Sequence, residues 1–462
     1  MEATTPASLV DMPGAFEPLP GEVRVQKLSR PSLSYWKDAW IRLRANRRAI
    51  ISLYIIIALL VFTLAGPLVW RVDPSDQDLL QVNRPPGAER SAVIVKPYHQ
   101  WSEPPPAAGD GGLELAAPAT TQAVRLVWPA TPGAAGYRVY RDIVPLEKGK
   151  PLGLPLAVTD SNSGSYYDDL LNLQPETLYY SVVPLNREGD EIAGRKSLKV
   201  KVVNAITLAE AADLGLVNPG DRYKAGDRIE YPFHPFGTDY LGRDMLARLM
   251  QGARVSLFIG IVAPLLYVLI GVTYGGAAGF IGGRTDQILM RFADFVIALP
   301  FLLFMILFKI AFGIGPGESG IVPMIVAMVI LLWPGTARLV RGQILQVREE
   351  GYVQAARLLG ARNSYLVLRH MIPNTMGVIL VTLTFAIPSA IFTEAFLSFI
   401  GMGVAPPTAS WGSMSNDGIK TMLTHPHELL FPALMISITV LAFNLLGDGL
   451  RDALDAKMRS RE

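Results

Sequence analysis

The chain has 462 residues, half of them apolar, with a formal net charge of only +2. A positive mean hydropathy of +0.30 points to a membrane protein carrying a substantial soluble part, and the near-neutral balance gives no reason to expect a nucleic-acid partner. Cysteine is absent, which excludes disulfides and thiolate metal sites, and the five histidines (His99, His234, His370, His425, His427) lack zinc-ligand spacing on a helix, so no metal site is expected.

Residues 1–30 are rich in Pro, Ser, Thr and small side chains without periodicity, and read as a disordered cytoplasmic tail. Residues 31–70 are a basic segment and a first span: Lys37, Arg42, Arg44, Arg47 and Arg48 precede the apolar run Ile50–Trp70. A crossing needs roughly 20 apolar residues. Run and leader are both longer than a signal peptide requires, so an uncleaved anchor is expected, with its amino terminus in the cytoplasm by the positive-inside rule.

The next apolar run begins near Val255, which puts the intervening residues outside the cytoplasmic membrane. Residues 71–105 read as a linker, 106–204 as a folded β domain, and 205–254 as a second linker ending in an amphipathic helix. Within the domain, Ala123–Arg141 alternates apolar and polar residues on both sides of a turn, and Thr177–Glu191 does so again. Trp128, Tyr137, Tyr140 and the series Leu173, Pro175, Thr177, Tyr179 resemble fibronectin type III domains, a resemblance that implies a β-sandwich in which the Tyr179 hydroxyl bonds back to nearby backbone. The stretch Gly189–Ser197 (GDEIAGRKS) misses the phosphate-loop spacing by one place and lies in strand and turn, so it is read as a coincidence. Further on, Thr238 or Asp239 is placed to cap a surface helix showing Leu241, Met245 and Leu249 on one face.

A permease-like core of five more apolar runs occupies 255–447: Val255–Phe280, Ile288–Phe312, Ile321–Val340, Thr375–Ile400 and Leu430–Leu446. With the first run they make six crossings and put both termini, including the tail 448–462, in the cytoplasm. The second run is dense in glycine (Gly260, Gly271, Gly275, Gly276, Gly279), which allows helices to approach closely in lipid. Pro264, Pro300, Pro323, Pro334 and Pro388 free backbone carbonyls inside spans. Ionisable residues there are costly and functional by default, and Glu394 and Asp294 are the translocation-path candidates: Asp294 lies one turn from Arg291 and can pair with it, Lys309 sits near an end, and Glu394 is deeper, either lining the route or bonding helices together.

Between the fourth and fifth runs lies the cytoplasmic loop Arg348–Asn374 (REEGYVQAARLLGARNSYLVLRHMIPN). Glu349 and Glu350 suit a helix start, Gly360 a left-handed helix end, Asn363 or Ser364 the cap of a second helix, and Pro373 its stop. Ala355, Ala356, Gly360 and Pro373 in this order resemble the EAA loop of bacterial ABC importer permeases, and GYVQAARLLGA followed by RHMIPN is most similar to the dipeptide and oligopeptide branch. Gln354 departs from the pattern, standing where that family usually has a glutamate. GTD followed by GRD, within residues 237–244, also resembles a signature preceding the second span in that branch.

The resemblance implies an α-helical membrane protein of the type I ABC importer permease fold, with six transmembrane helices and a β-sandwich inserted between the first two. It implies a transport subunit in the bacterial inner membrane, not an enzyme, whose loop takes up work from two separate ATP-binding subunits that consume ATP and Mg. A second homologous permease and an extracytoplasmic solute-binding protein complete the set. Di- or oligopeptides are the expected cargo, with nickel complexes, glutathione or oligosaccharides as alternatives within the family. A stand-alone carrier and a surface adhesion or sensing protein are rival classes. The former more often shows midplane charge pairs and internal repeats, which this sequence lacks.

Overall fold

The basic segment folds as helix α1 (Tyr35–Ala45), and the chain then restarts as the apolar helix α2 (Arg47–Val69). Asn46 makes the break: its side chain accepts from the backbone N–H of Arg48 at 3.1 Å and Ala49 at 3.3 Å, capping α2. The structure, a computed structural model, describes residues 35–88, 90–100, 112–145, 152–160, 166–171, 173–217, 223–312 and 319–454. The tail expected over 1–30 lies outside the described residues, as does the end of the chain beyond 454.

Between α2 and the helix that starts at Met245, the described residues form ten strands: β1 (Ser91–Val95), β2 (Glu114–Leu115), β3 (Val124–Val127), β4 (Gly136–Asp142), β5 (Ala157–Asp160), β6 (Tyr166–Asp169), β7 (Thr177–Leu185), β8 (Lys196–Lys201), β9 (Asn204–Thr207) and β10 (Arg228–Glu230). A three-stranded sheet β2-β3-β6 and a four-stranded sheet β5-β4-β7-β8 enclose one core. Alternation explains the arrangement: Val124, Leu126 and Trp128 from one sheet meet Tyr137, Val139, Leu178, Tyr180 and Val182 from the other. The Trp128 and Tyr137 rings meet edge to face with centroids 5.3 Å apart.

Among the described residues the Tyr179 hydroxyl does not make the backbone bond expected of it; Tyr179 is half-buried and its ring faces the Lys199 ammonium at 6.0 Å. The neighbouring Tyr180 is the buried one, and its hydroxyl donates to the Asp169 carboxylate at 2.6 Å. Alternation along β7 decides this, since its buried face carries the even-numbered residues Leu178, Tyr180 and Val182. Burial and the bond to Asp169 push the Tyr180 hydroxyl far above its ordinary pKa, so it remains a donor.

The two expected linkers are themselves folded. β1 pairs in parallel with β9 and antiparallel with β10, forming a second three-stranded sheet over Ile94, Ile206, Ala211, Ile229 and Tyr231. Helix α3 (Leu208–Asp213) follows β9, its first turn closed by a reciprocal cap between Thr207 and Glu210.

The expected surface helix starts later than Thr238 and is not separate. Helix α4 (Met245–Ile281) is capped by Asp244, which accepts from Ala247 N–H at 2.7 Å, and runs unbroken into the second span. Thr238 and Asp239 are instead used up in tertiary bonds, so Leu241 stays in the loop. After α4 come α5 (Gly283–Ile297), α6 (Phe301–Ala311), α7 (Ile321–Arg348) and α8 (Gly351–Leu358), then α9 (Asn363–Tyr365), α10 (Ile372–Phe399), α11 (Trp411–Thr421) and α12 (His427–Leu454).

Among the described residues five helices, α2, α4, α7, the continuous helix Asn363–Phe399 and α12, are long and apolar enough to cross a membrane, and α5 with α6 makes a sixth crossing if the two count together. The third apolar run is therefore not one straight span: it bends by 80° between Ile297 and Phe301. Pro300 stands at that break, without the N–H that would continue the helix. α4 and α7 form the closest pair, through Gly271, Gly275 and Gly279 at four-residue intervals. A Cβ at Gly275 would stand 2.2 Å from the Ala337 carbonyl oxygen, an approach only glycine permits.

Candidate functional site

The loop between α7 and α10 is a short hairpin of helices anchored from beneath. α7 ends at Arg348, Glu349 caps its carboxyl end, and Glu350, in extended conformation, begins α8. Val353, Leu366 and Met371 are fully buried, and Val353 and Met371 join the cluster formed by Ala293, Ala337, Val340 and Ile344. These anchors fix the loop on α5 and α7.

Gly360 closes α8 with φ +81°. Around it Gly360 N–H donates to Arg357 O at 3.0 Å and Ala361 N–H to Ala356 O at 3.1 Å, the paired bonds of a Schellman turn. The spacing of Ala356 and Gly360 thus has a local cause: one supplies the accepting carbonyl, the other the left-handed residue. The turn throws Leu358 and Leu359 outward, 89% and 88% exposed. Beside them a shallow basin is lined by Arg362, Ser364, Tyr365, Leu368 and Arg369. Ala355 and Gly360 are exposed and Ala356 half-buried, so this face is apolar, small at its centre and rimmed by arginine.

Gln354 turns inward, its side-chain amide donating to the Arg348 carbonyl at 3.3 Å. A carboxylate cannot make that bond, and the partial negative charge at the end of α7 would oppose it.

Two readings of this loop are corrected. Neither Asn363 nor Ser364 caps a second helix, since Arg362 occupies the cap position without a side-chain bond. Nor does Pro373 stop the helix. The backbone widens into a π-turn over Leu366–Met371, with Ile372 N–H donating to Val367 O, and the helix passes through Pro373 into α10. Asn374 helps by donating to the His370 carbonyl at 2.5 Å. A wide turn of this kind accommodates the missing donor without breaking the helix.

The loop is tied to the rest of the bundle by arginines. Arg348 reaches the end of α4, donating to Gly279 O at 3.4 Å and Phe280 O at 3.5 Å. Arg341 of α7 holds Asp286 of α5 through two bonds of 2.6 and 2.5 Å. Asp294 is paired chiefly with Arg338 of α7; its expected partner Arg291 stands 3.8 Å away. Lys309 donates to Gly401 O at 2.9 Å. α7 is thereby tied to α5 and to the end of α4.

Glu394 lies far from this loop and is fully buried. Its two carboxylate oxygens accept from Ser256 Oγ and Ser398 Oγ, each at 2.7 Å. Ser256 in turn accepts from Trp411 N–H at 3.3 Å, so the carboxylate links α4, α10 and the start of α11. The geometry makes it a bond between helices.

A second buried polar cluster escaped the sequence reading. Asp239 accepts from Arg243 Nε at 2.8 Å and from Arg248, which also approaches Asp417 of α11 at 3.5 Å. Asp244 accepts from Trp70 Nε1 at 3.1 Å and contacts His234 Nδ1 at 2.6 Å. The GTD and GRD strings supplied part of the signal, as acids and bases close together, but Asp417 carries no local mark.

Fold and site together define a multi-span membrane protein with an apolar, arginine-rimmed loop exposed between α7 and α10. The profile of binding-protein-dependent transport system inner membrane components matches residues 271–460, and that of the N-terminal membrane domain of oligopeptide transport permease C matches residues 34–86. The oligopeptide transport system permease protein OppC of Bacillus subtilis is 51% identical over 226 residues, 49% of this chain and 72% of that protein. The dipeptide permease DppC of the same organism is 50% identical over 227 residues, 49% of this chain and 69% of that protein. The glutathione permease GsiD of Pectobacterium atrosepticum is 42% identical over 227 residues, again 49% of this chain, and 74% of that protein. The chain belongs to the binding-protein-dependent transport permeases, the membrane subunits of ABC importers. Among solved structures, an inward-facing methionine ABC transporter, MetNI, aligns over 46% of this chain and 98% of its own, at 16% identity and a TM-score of 0.38.

Proposed function

We propose that this chain is one of two permease subunits that form the route for di- or oligopeptides in an ABC importer, with both termini and the Arg348–Asn374 loop in the cytoplasm. Two separate subunits bind and hydrolyse ATP with Mg, and a solute-binding protein delivers the cargo from outside. The observation that carries the reading is the loop itself, in which Val353, Leu366 and Met371 are buried while Leu358 and Leu359 face out. Burying a leucine side chain is worth about 1.5–3 kcal/mol, so covering this pair by an ATP-binding subunit supplies a firm grip. The coupling residues are Gln354, Ala355, Ala356, Gly360 and Pro373. Gln354, Gly360 and the π-turn before Pro373 hold the shape, whereas Ala355 and Ala356 leave room for the partner. Glu394 and Asp294, the two pathway candidates, serve better as bonds between helices.

The insert, roughly residues 106–204, is read as a fibronectin type III-like sandwich on the extracytoplasmic side. Its three-plus-four strand order and the buried Trp128 support this. Peptide cargo is favoured because the oligopeptide and dipeptide permeases are 51% and 50% identical to this chain. Glutathione, itself a small peptide, is the second reading, favoured by the 42% identical permease. Proteoliposomes holding this chain, the second permease and both ATP-binding subunits should take up a labelled tripeptide from its binding protein only with ATP. Uptake without ATP would overturn the class, and uptake of reduced glutathione but of no α-linked tripeptide would overturn the cargo.

A further inference from the structure

The insert meets the helical bundle through buried polar contacts centred on Arg84. The backbone of Arg84 pairs with the loop before α4: its N–H donates to Thr238 Oγ1 at 2.9 Å, and its carbonyl accepts from Thr238 N–H at 3.0 Å. The approach is so close that a Cβ on Gly237 would stand 2.1 Å from the Arg84 carbonyl oxygen. On the other side, the Arg84 guanidinium donates to Asn204 Oδ1 at 2.7 Å and lies over the Tyr231 ring at 5.2 Å. Asn204 is the first residue of β9, where the chain leaves the two-sheet insert.

From there the contacts run into the insert. Ala205 N–H donates to Thr121 Oγ1 at 2.9 Å, and Thr121 N–H to Val203 O at 2.9 Å. They also run into the bundle, where His427, near the start of α12, contacts the Thr238 carbonyl at 3.2 Å and Asp239 holds Arg243 and Arg248 of the α4 region. Arg84, Asn204, Thr238 and Asp239 are all buried. Removing one partner from such a set leaves the other unsatisfied, which costs more than the bond itself contributes.

We propose that Arg84 is a positioning residue that makes the two-sheet insert a rigid arm of the transport core, so that the arm shifts whenever the outer ends of α4 and α12 shift. The rigid joint needs only these contacts, whereas the shift rests on the transport reading above. A domain of this size on loose connectors would sample many orientations, whereas one held by Arg84 and Asn204 reports the state of the helices. Any molecule gripping the arm in one orientation then biases the cycle, because a ligand that favours one of two states shifts the balance toward it.

The chain contains no cysteine, so two spin labels can be placed without altering the background. One goes at Glu188→Cys, on an exposed turn of the insert, and one at Leu423→Cys, 93% exposed between α11 and α12. In the assembled transporter in nanodiscs, pulsed dipolar spectroscopy should give one narrow distance distribution without nucleotide and a displaced one after vanadate trapping. Arg84→Met should broaden the distribution at least twofold, and Arg84→Lys, which keeps a donor for Asn204, should restore part of the narrowness. If Arg84→Met does not assemble, Asn204→Leu removes the same bond from the other side and is read instead. A broad distribution in the otherwise unaltered chain, or one left narrow by both variants, would overturn the rigid arm. A narrow distribution that nucleotide does not displace would overturn only the shift.

Discussion

Replacing Gly360 isolates the coupling turn from everything around it. Its φ of +81° lies where L residues are strained, yet nothing stands within 4 Å of the place a Cβ would take, so substitution acts through the backbone alone. Left-handed conformation costs an L residue roughly 1–2 kcal/mol, with asparagine at the low end and a β-branched side chain at the high end. Such an energy changes a two-state balance by a factor of about 5 to 30. The state lost is the closed turn in which Ala361 N–H meets Ala356 O and Leu358 and Leu359 point outward. Reconstituted transporters should therefore lose solute moved per ATP hydrolysed in the order Gly360→Asn, Gly360→Ala, Gly360→Val, with the valine variant down about tenfold. ATP hydrolysis and the melting temperature of the spans should change little, because the residue touches no helix of the bundle. Wild-type coupling in Gly360→Val would refute the reasoning, and so would a loss of assembly in all three variants.

Three further outcomes follow from single contacts. Gln354→Glu removes the donor to the Arg348 carbonyl and sets a negative charge at the end of α7, a loss of about 1 kcal/mol; faster hydrogen exchange at the end of α7 and in α8 should report it, and unchanged exchange would count against the inward placement of this side chain. Trp128→Ala empties the centre of the two-sheet insert at a cost of about 3–5 kcal/mol; limited proteolysis of the full chain should then cut within 112–201 while the spans stay protected, and uncut insert would contradict its core. Glu191 accepts from the Tyr140 hydroxyl and from Arg138 at 2.9 Å, and these bonds hold its carboxyl below the ordinary 4.5. A lowered folded pKa stabilises above the unfolded value and is lost as pH falls through the folded one. The difference in protease resistance of the insert between the wild-type chain and Glu191→Gln, present at pH 7, should therefore shrink as pH falls below about 4.5 and be lost once the carboxyl is protonated in the folded chain; a difference independent of pH would rule this out.

What the sequence made legible is what composition and period encode. Apolar runs located five spans because a bilayer demands length, although α4 begins ten residues before its run and α7 and α12 end eight residues after theirs, and Trp128 with its alternating neighbours announced two facing sheets. The turn in the Arg348–Asn374 loop was readable from Gly360, where residue type answers directly to backbone geometry. Failures came where a distant partner decides. Thr238 and Asp239 look like caps but are consumed by Gln81 and by Arg243 with Arg248, leaving Asp244 to start α4. β1 finds β9 across more than a hundred residues, which no local pattern in five residues can signal. Pro373 read as a stop because a π-turn, not a sequence motif, absorbs it. Tyr179 and Tyr180 are adjacent, and only the register of β7 assigns one to the core.

The central claim is that the turn carrying Leu358 and Leu359 faces the cytoplasm and is covered there by an ATP-binding subunit. A Leu359→Cys chain should resist a membrane-impermeant maleimide in intact cells, and should react in inside-out vesicles stripped of the ATP-binding subunits. It should become protected again when those subunits are restored. Labelling in intact cells, or equal labelling with and without the subunits, would contradict the account.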